Sequence, residues 1–221
     1  MSVWALLVAA GAGERLGADR PKAFVGLGDL PLLAEPLRRL DESDWIDAIV
    51  VAVPSGWEEP AILLAEELSA RKVVAAVAGG ETRAESVRTA LGEVPDEALV
   101  VLVHDAARPL VSDEIVARVI EPLSRGWDGA VPALPVADTI KRVRGDEVVE
   151  TIDRSDLVVV QTPQAFVPSV LRQALRGDVA GAGDCAALVE AQNGRVTVVE
   201  GDPRLLKVTT AADLAFVDGL A

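Results

Sequence analysis

The sequence predicts an α/β fold in which a mostly parallel sheet carries helices on both faces. Three observations lead there. Short, β-branched apolar runs recur along the chain, stretches of helical spacing separate them, and the first run leads into a glycine-rich turn.

The runs at 3–10 (VWALLVAA), 46–53 (IDAIVVAV), 72–77 (KVVAAV), 98–104 (ALVVLVH) and 128–134 (DGAVPAL) read as strands. They are nearly continuous in apolarity, as strands covered on both faces must be. Between them, helices are predicted over 32–40, 57–70, 81–91 and 112–125. Ser112, followed by Asp113 and Glu114, has the chemistry of an N-cap with favourable dipole charges. This alternation gives a doubly wound, Rossmann-like sheet. After residue 134 the rhythm changes. TIKRV (139–143), RGDE (144–147) and VVETID (148–153) form a strand–turn–strand pattern with largely polar faces. Such an arm, at about 136–156, is marginal alone and is predicted to project and pack on a partner subunit. The chain returns through a strand at 157–161, helices at 167–175 and 183–191, a strand at 195–200, the segment LLKVT and a closing helix at 210–220. No repeat or linker divides residues 1–221, which read as one domain.

Composition narrows the function. A net charge of −14 argues against nucleic acid, which demands a basic footprint. No apolar run reaches the roughly 18 residues of a membrane span. The first ten residues lack a basic leader and read as a buried strand, not a signal peptide. One cysteine and one histidine exclude a disulfide framework and disfavour a zinc site, which points to a cytoplasmic protein. In so acidic a chain a polyphosphate ligand needs cations concentrated at its site, usually with a divalent metal.

The stretch AAGAGERLGADRPK (9–22) supplies such cations. Its glycines, Gly11, Gly13 and Gly17, miss the GxGxxG spacing, and no Gly-Lys-Ser/Thr follows, so it is neither a dinucleotide nor a Walker loop. A dinucleotide-dependent oxidoreductase is disfavoured further by VAVPSG (51–56), which puts no acid at the end of the second strand. Arg15 and Lys22 follow a strand-terminal turn whose backbone N–H groups suit phosphate. In an open sheet this turn meets the other strand-end segments: GGETRAES (79–86), HDAARP (104–109) and PVADTIKRV (135–143). Asp105 ends a buried strand, where a carboxylate needs a partner. Two uses are open to it: Mg²⁺ shared with phosphate oxygens, or an ion pair with Arg108. His104 reads as a hydrogen-bonded structural residue, since nothing nearby forms a nucleophile–base pair. These residues point to a nucleotide-using phosphoryl or nucleotidyl transferase.

AAGAGERLGADRPK, GGETRAESV, VHDAARP, PVADTIKRV, TIDRSDL, QTPQAF and LKVTTAADL stand in the order found in the 2-C-methyl-D-erythritol 4-phosphate cytidylyltransferases, which the chain resembles over nearly its whole length. The resemblance implies a homodimeric, CTP-dependent transferase that uses Mg²⁺ and releases pyrophosphate in the non-mevalonate isoprenoid pathway. By it, Arg15 and Lys22 are catalytic, Asp105 places Mg²⁺, and Ala9, Ala10, Gly11, Gly80, Glu81 and Ser86 bind the nucleotide. Thr139 and Arg154, on the arm, are implied to meet the acceptor in the partner's site, with Thr162 and Lys207 also on the acceptor. Two departures from the family's pattern fall on that side: Leu205 in place of Asn, and Gly183–Ala187 in place of a Thr-Asp-Asp-Ala-Ser run. The rival acceptor is ribitol 5-phosphate, and a rival of another class is a nucleotide-binding protein without turnover.

Overall fold

The computed structural model describes residues 2–11, 13, 19–177, 179 and 181–220. The predicted strands form β1 (Val3–Val8), β4 (Ala48–Val53), β5 (Val73–Ala78), β6 (Val100–Asp105) and β7 (Gly129–Pro135). Between β1 and β4, Gly26–Leu27 (β2) and Leu30–Pro31 (β3) make a small hairpin with Gly28 at φ +58° in its turn, an element that the sequence pattern does not announce. The helices are α1 (Ala34–Glu42), α2 (Glu58–Glu67), α3 (Arg83–Leu91) and α4 (Asp113–Ile120). The helix expected over 112–125 stops early and continues as a 3-10 turn, Glu121–Arg125. Pro122 lacks the N–H that would carry the α-helical ladder onward. Ser112 does occupy the N-cap of α4, but its hydroxyl makes no cap bond to the helix backbone. It bonds to the Glu114 carboxylate instead and helps hold that group below its ordinary pKa.

β1 lies between β4 and β6 and runs parallel to both, with β5 outside β4. The chain thus winds outward through β4 and β5, then crosses β1 to form β6. The crevice between the carboxyl ends of β1 and β6 is therefore the switch point of the sheet, where ligands bind in folds of this kind. Beyond β6 the sheet is mixed. Gln164–Phe166 (β11) runs antiparallel between β6 and β7, and Val158–Val160 (β10) pairs antiparallel with the end of β7. Val196–Glu200 (β12) runs parallel along the other flank of β7.

Alternation along the central strands supplies two cores. Ala5, Leu7, Ile49, Val51 and Leu102 face Leu37, Leu40, Leu64, Ile115 and Val119 of α1, α2 and α4. Leu6, Val50, Val101 and Val103 face Val87 and Leu91 of α3 on the other side. That second side is completed by Leu171 of α5 (Pro168–Ala174) and Val189 of α6 (Cys185–Glu190). The predicted helices on both faces are present. The closing helix α7 (Ala211–Asp218) starts with a capping box between Thr210 and Asp213 and packs Val217 with Leu27 and Leu32.

The predicted strand–turn–strand is β8 (Ile140–Arg144) with β9 (Glu147–Ile152), an antiparallel pair outside the main sheet. Gly145, at φ +58°, makes its turn. Val143, Val148 and Val149 on this hairpin are exposed.

Phe166 of β11 is fully buried, and its ring fills the space over Gly129, where a Cβ would come within 2.7 Å of the ring. Phe166→Ala is expected to lower unfolding stability by about 3–5 kcal/mol in urea denaturation, because the strand that joins β6 to β7 loses its only large apolar side chain.

Candidate active site

Backbone bonds at the strand ends fix the loops of the crevice. Ala9 N–H continues β1 onto Ala52 O at 2.7 Å, Gly79 N–H continues β5 onto Val53 O at 2.7 Å, and Ala106 N–H continues β6 onto Val8 O at 2.9 Å. Gly79 has no room for a side chain, since a Cβ there would lie 2.4 Å from Ala10 Cβ and 2.7 Å from Ser86 Oγ. This contact brings the turn after β5 against the turn after β1.

Ala9, Ala10, Gly11, Lys22, Gly80, Glu81, Ser86, Asp105 and Lys207 all line one cleft at this point. These expected site residues are thereby brought together. Arg15 lies outside the described residues. Thr162 is close by, in a second cavity that adjoins the first. Thr139 and Arg154 flank the β8–β9 hairpin, are exposed, and line neither cavity of their own chain. The Arg154 guanidinium donates to Ala137 O across the base of the hairpin.

Lys22 begins a 3-10 turn, Lys22–Phe24, behind Pro21 at φ −55°. Phe24 packs on Trp57 with 4.4 Å between ring centroids and the rings tilted by 39°, and Ala23 O accepts from Leu33 N–H at 2.8 Å, so the segment is held on the body of the protein. Gly13, at φ +75°, passes so close that a Cβ would meet Lys22 Cβ at 2.6 Å. Only glycine suits that position.

The turn before α3 is equally fixed. Thr82 and Glu85 form a capping box. Ser86 Oγ donates to Thr82 O at 3.0 Å and accepts from Gly80 N–H at 3.1 Å. The Ser86 hydroxyl therefore shapes the loop.

Asp105 is the electrostatic centre. Its side chain is 8% exposed and meets two cations: Arg83 Nε at 2.8 Å on Oδ1, and Lys207 Nζ at 2.6 Å on Oδ2. Burial alone would disfavour the ionised carboxyl, but Arg83 and Lys207 outweigh it and hold the group well below the usual carboxylate range. The alternative ion pair with Arg108 does not form. The Arg108 guanidinium turns to Leu205 O at 2.5 Å instead. Arg83 is the site residue that sequence reasoning misses: it sits inside a recognised segment, but a partner 22 positions away leaves no local signal.

The two departures from the family pattern part company. Leu205 is fully buried in the core below the site, so its side chain is a packing element and only its carbonyl serves the site, by holding Arg108. Gly183 and Asp184 line the second cavity, where Asp184 accepts from Gln164 Nε2 at 2.8 Å and caps α6. Cys185 is a buried residue, as its size suggests, and its sulfur lies 3.5 Å from Arg83 Nη1.

His104 is a structural residue, as expected. Nε2–H donates to Arg108 O at 3.0 Å, and Nδ1 accepts from the Thr162 hydroxyl at 3.2 Å. The same hydroxyl accepts from Asp105 N–H at 3.0 Å. Thr162 thus ties β6 to the strand beside it. Burial pushes the His104 pKa down to about 4 from 6.5. A group whose folded pKa is depressed in this way costs stability as pH falls below the unfolded value, because only the unfolded chain takes the proton. About 1 kcal/mol should be lost from this source between about pH 7.5 and about pH 5.5. Urea unfolding of the wild type and of His104→Gln at both pH values measures it, and the variant should show a flatter dependence.

A family model for 2-C-methyl-D-erythritol 4-phosphate cytidylyltransferase matches residues 3–220. A protein of that name from Saccharopolyspora erythraea is 48% identical, covering 100% of this chain and 99% of its own. One from Nocardia farcinica is 44% identical, with 99% and 94% covered. Among solved structures, the enzyme of the same name from Thermus thermophilus superposes with a TM-score of 0.81 at 35% identity, covering 100% of this chain and 98% of that one. The chain belongs to the 2-C-methyl-D-erythritol 4-phosphate cytidylyltransferase family.

Proposed function

We propose that this chain transfers CMP from CTP to 2-C-methyl-D-erythritol 4-phosphate, giving 4-diphosphocytidyl-2-C-methyl-D-erythritol and pyrophosphate in non-mevalonate isoprenoid synthesis. The observation that carries the reading is the cleft at the switch point, with Lys22, Asp105 and Lys207 in its walls, in a chain matched from end to end by this family. Relatives and solved neighbours carry the methylerythritol name, which leaves ribitol 5-phosphate without a supporting observation. The retention of both loop cations, Arg15 in the sequence and Lys22 in the wall of the cleft, disfavours a binding protein without turnover, since such charges serve the transition state.

The chemistry follows from charge and position. A phosphate monoester is mostly dianionic near neutral pH and needs no general base to attack the α-phosphorus of CTP in line. It needs alignment and cations. Lys22, fixed by its turn, offsets charge that builds on the α-phosphate and on departing pyrophosphate, together with Arg15. With its N–H engaged by Ser86, Gly80 has its carbonyl to offer a base. An acceptor there suits the exocyclic amine of cytosine. Ala9, Ala10, Gly11 and Glu81 complete the nucleotide side.

Asp105 would hold Mg²⁺. The described residues contain no cluster of three acidic, histidine or cysteine ligands, so phosphate oxygens and water would fill the rest of the shell, as is usual for this ion. Held by Asp105, the metal would supply positive charge against the phosphates. The Asp105 carboxylate is ionised, and Lys207, which holds its Oδ2, is 42% exposed, so that a phosphate can reach it. Lys207 and Thr162 then face the acceptor.

The reading includes a homodimer whose β8–β9 arms exchange, supported by the exposed valines of the hairpin and by the absence of Thr139 and Arg154 from the lining of their own cleft. Both residues would complete the partner's acceptor site. The reaction is set in the cytoplasm, in keeping with a single unpaired thiol and with the finding that no helix among the described residues is long and apolar enough to cross a membrane.

Pyrophosphate release from CTP and Mg²⁺, with methylerythritol phosphate and ribitol 5-phosphate in parallel, tests the activity. Clear preference for the first is expected, and silence or the reverse preference refutes the reading. Lys22→Ala should lower kcat by about 100- to 1,000-fold with little change in CTP affinity, since its charge acts in the transition state. Near-normal turnover would remove Lys22 from the mechanism. Arg154→Ala should raise the acceptor KM. Mixed dimers with one Arg154→Ala and one Lys22→Ala subunit should regain one intact site, whereas inactive, verified mixed dimers would contradict the exchange.

A further inference from the structure

Arg83, Asp105 and Lys207 line both cavities, so they form the partition between them. The two cations in that partition differ. Lys207 reaches Asp105 from the more open side, with 42% of its side chain exposed, whereas Arg83 has 22%. Arg83 is also the first residue of α3, where the positive end of the helix dipole disfavours a cation. Burial adds a second cost.

What Arg83 gains in return is unusual. Its Nε makes one strong bond, to Asp105 Oδ1 at 2.8 Å. Nη1 meets only a weak acceptor, the Cys185 sulfur, at 3.5 Å. Nη2 is buried and has no hydrogen-bond partner among the described residues. Arg–carboxylate pairs frequently make two parallel bonds. This one holds a single oxygen and leaves the other to the exposed side of the partition.

We infer that Arg83 is a positioning residue: by pinning Oδ1 it keeps Asp105 in the partition, with Oδ2 turned toward the more exposed Lys207 and the ligands of both cavities. The inference rests on the cytidylyl-transfer reading and deepens it. Without Arg83, Asp105 closes on Lys207 with both oxygens. The nucleotide side then loses its carboxylate, and the acceptor side loses its cation.

The test pairs kinetics with crystallography. Arg83→Met should lower kcat/KM by on the order of 10- to 100-fold in the wild-type background. In the Asp105→Asn background the same change should cost less than about threefold, because the residue acts through Asp105. Arg83→Lys should recover part of the loss, and Arg83→Gln, carried in parallel, guards against misfolding of a single variant. In ligand-free crystals of Arg83→Met or Arg83→Gln, Asp105 should lie with both oxygens on Lys207 Nζ. Equal losses in the two backgrounds, or an Asp105 that keeps its place in those crystals, overturn the proposal. A wild-type chain that is silent with CTP and methylerythritol phosphate contradicts the transfer reading instead, and the crystals still decide the role of Arg83.

Discussion

The ion pairs of Asp105 are the constraint on which the rest of the site depends. A carboxylate at the end of a central strand is costly to bury, and leaving one with a missing partner costs about 3–5 kcal/mol. Here the partners come from two distant segments: Arg83 from the start of α3, and Lys207 from the loop before α7. The pairs therefore draw the loops after β5 and β12 onto the end of β6. That convergence closes the crevice into two cavities. The fold supplies the crevice, and the charge supplies its division.

Most of the fold was legible in the sequence because buried parallel strands write themselves as continuous apolar runs. The runs around Leu6, Val50, Ala75 and Leu102 predicted the central strands, and the helical spacing around Leu37, Leu64, Val87 and Ile115 predicted what covers them. The elements that escaped are short. Gln164–Phe166 and the Gly26–Pro31 hairpin are too brief to show a period, and their places depend on partners far along the chain. The end of α4 was missed for a local reason, Pro122.

The site was legible as a set of segments rather than as a set of bonds. Gly80, Lys22 and Asp105 were placed near one another by the rule that strand ends converge, and the cleft unites them. Which cation meets Asp105 was not legible. Arg108 is three residues away and favoured by proximity in sequence, yet from the turn after β6 its guanidinium goes to Leu205 O. Lys207, 102 residues from Asp105, takes the place instead. Leu205 teaches the same lesson from the other side: a departure from pattern beside a site residue points its side chain into the core.

The central claim is that the cleft between β1 and β6 binds CTP with its phosphates against Lys22 and Asp105. A crystal structure of the chain with CTP and Mg²⁺ tests it most directly. The account predicts cytosine against the Gly80–Ser86 turn, the triphosphate beside Lys22, and the metal held by Asp105. A nucleotide bound elsewhere, or in this cleft with its phosphates turned away from both residues, would contradict it.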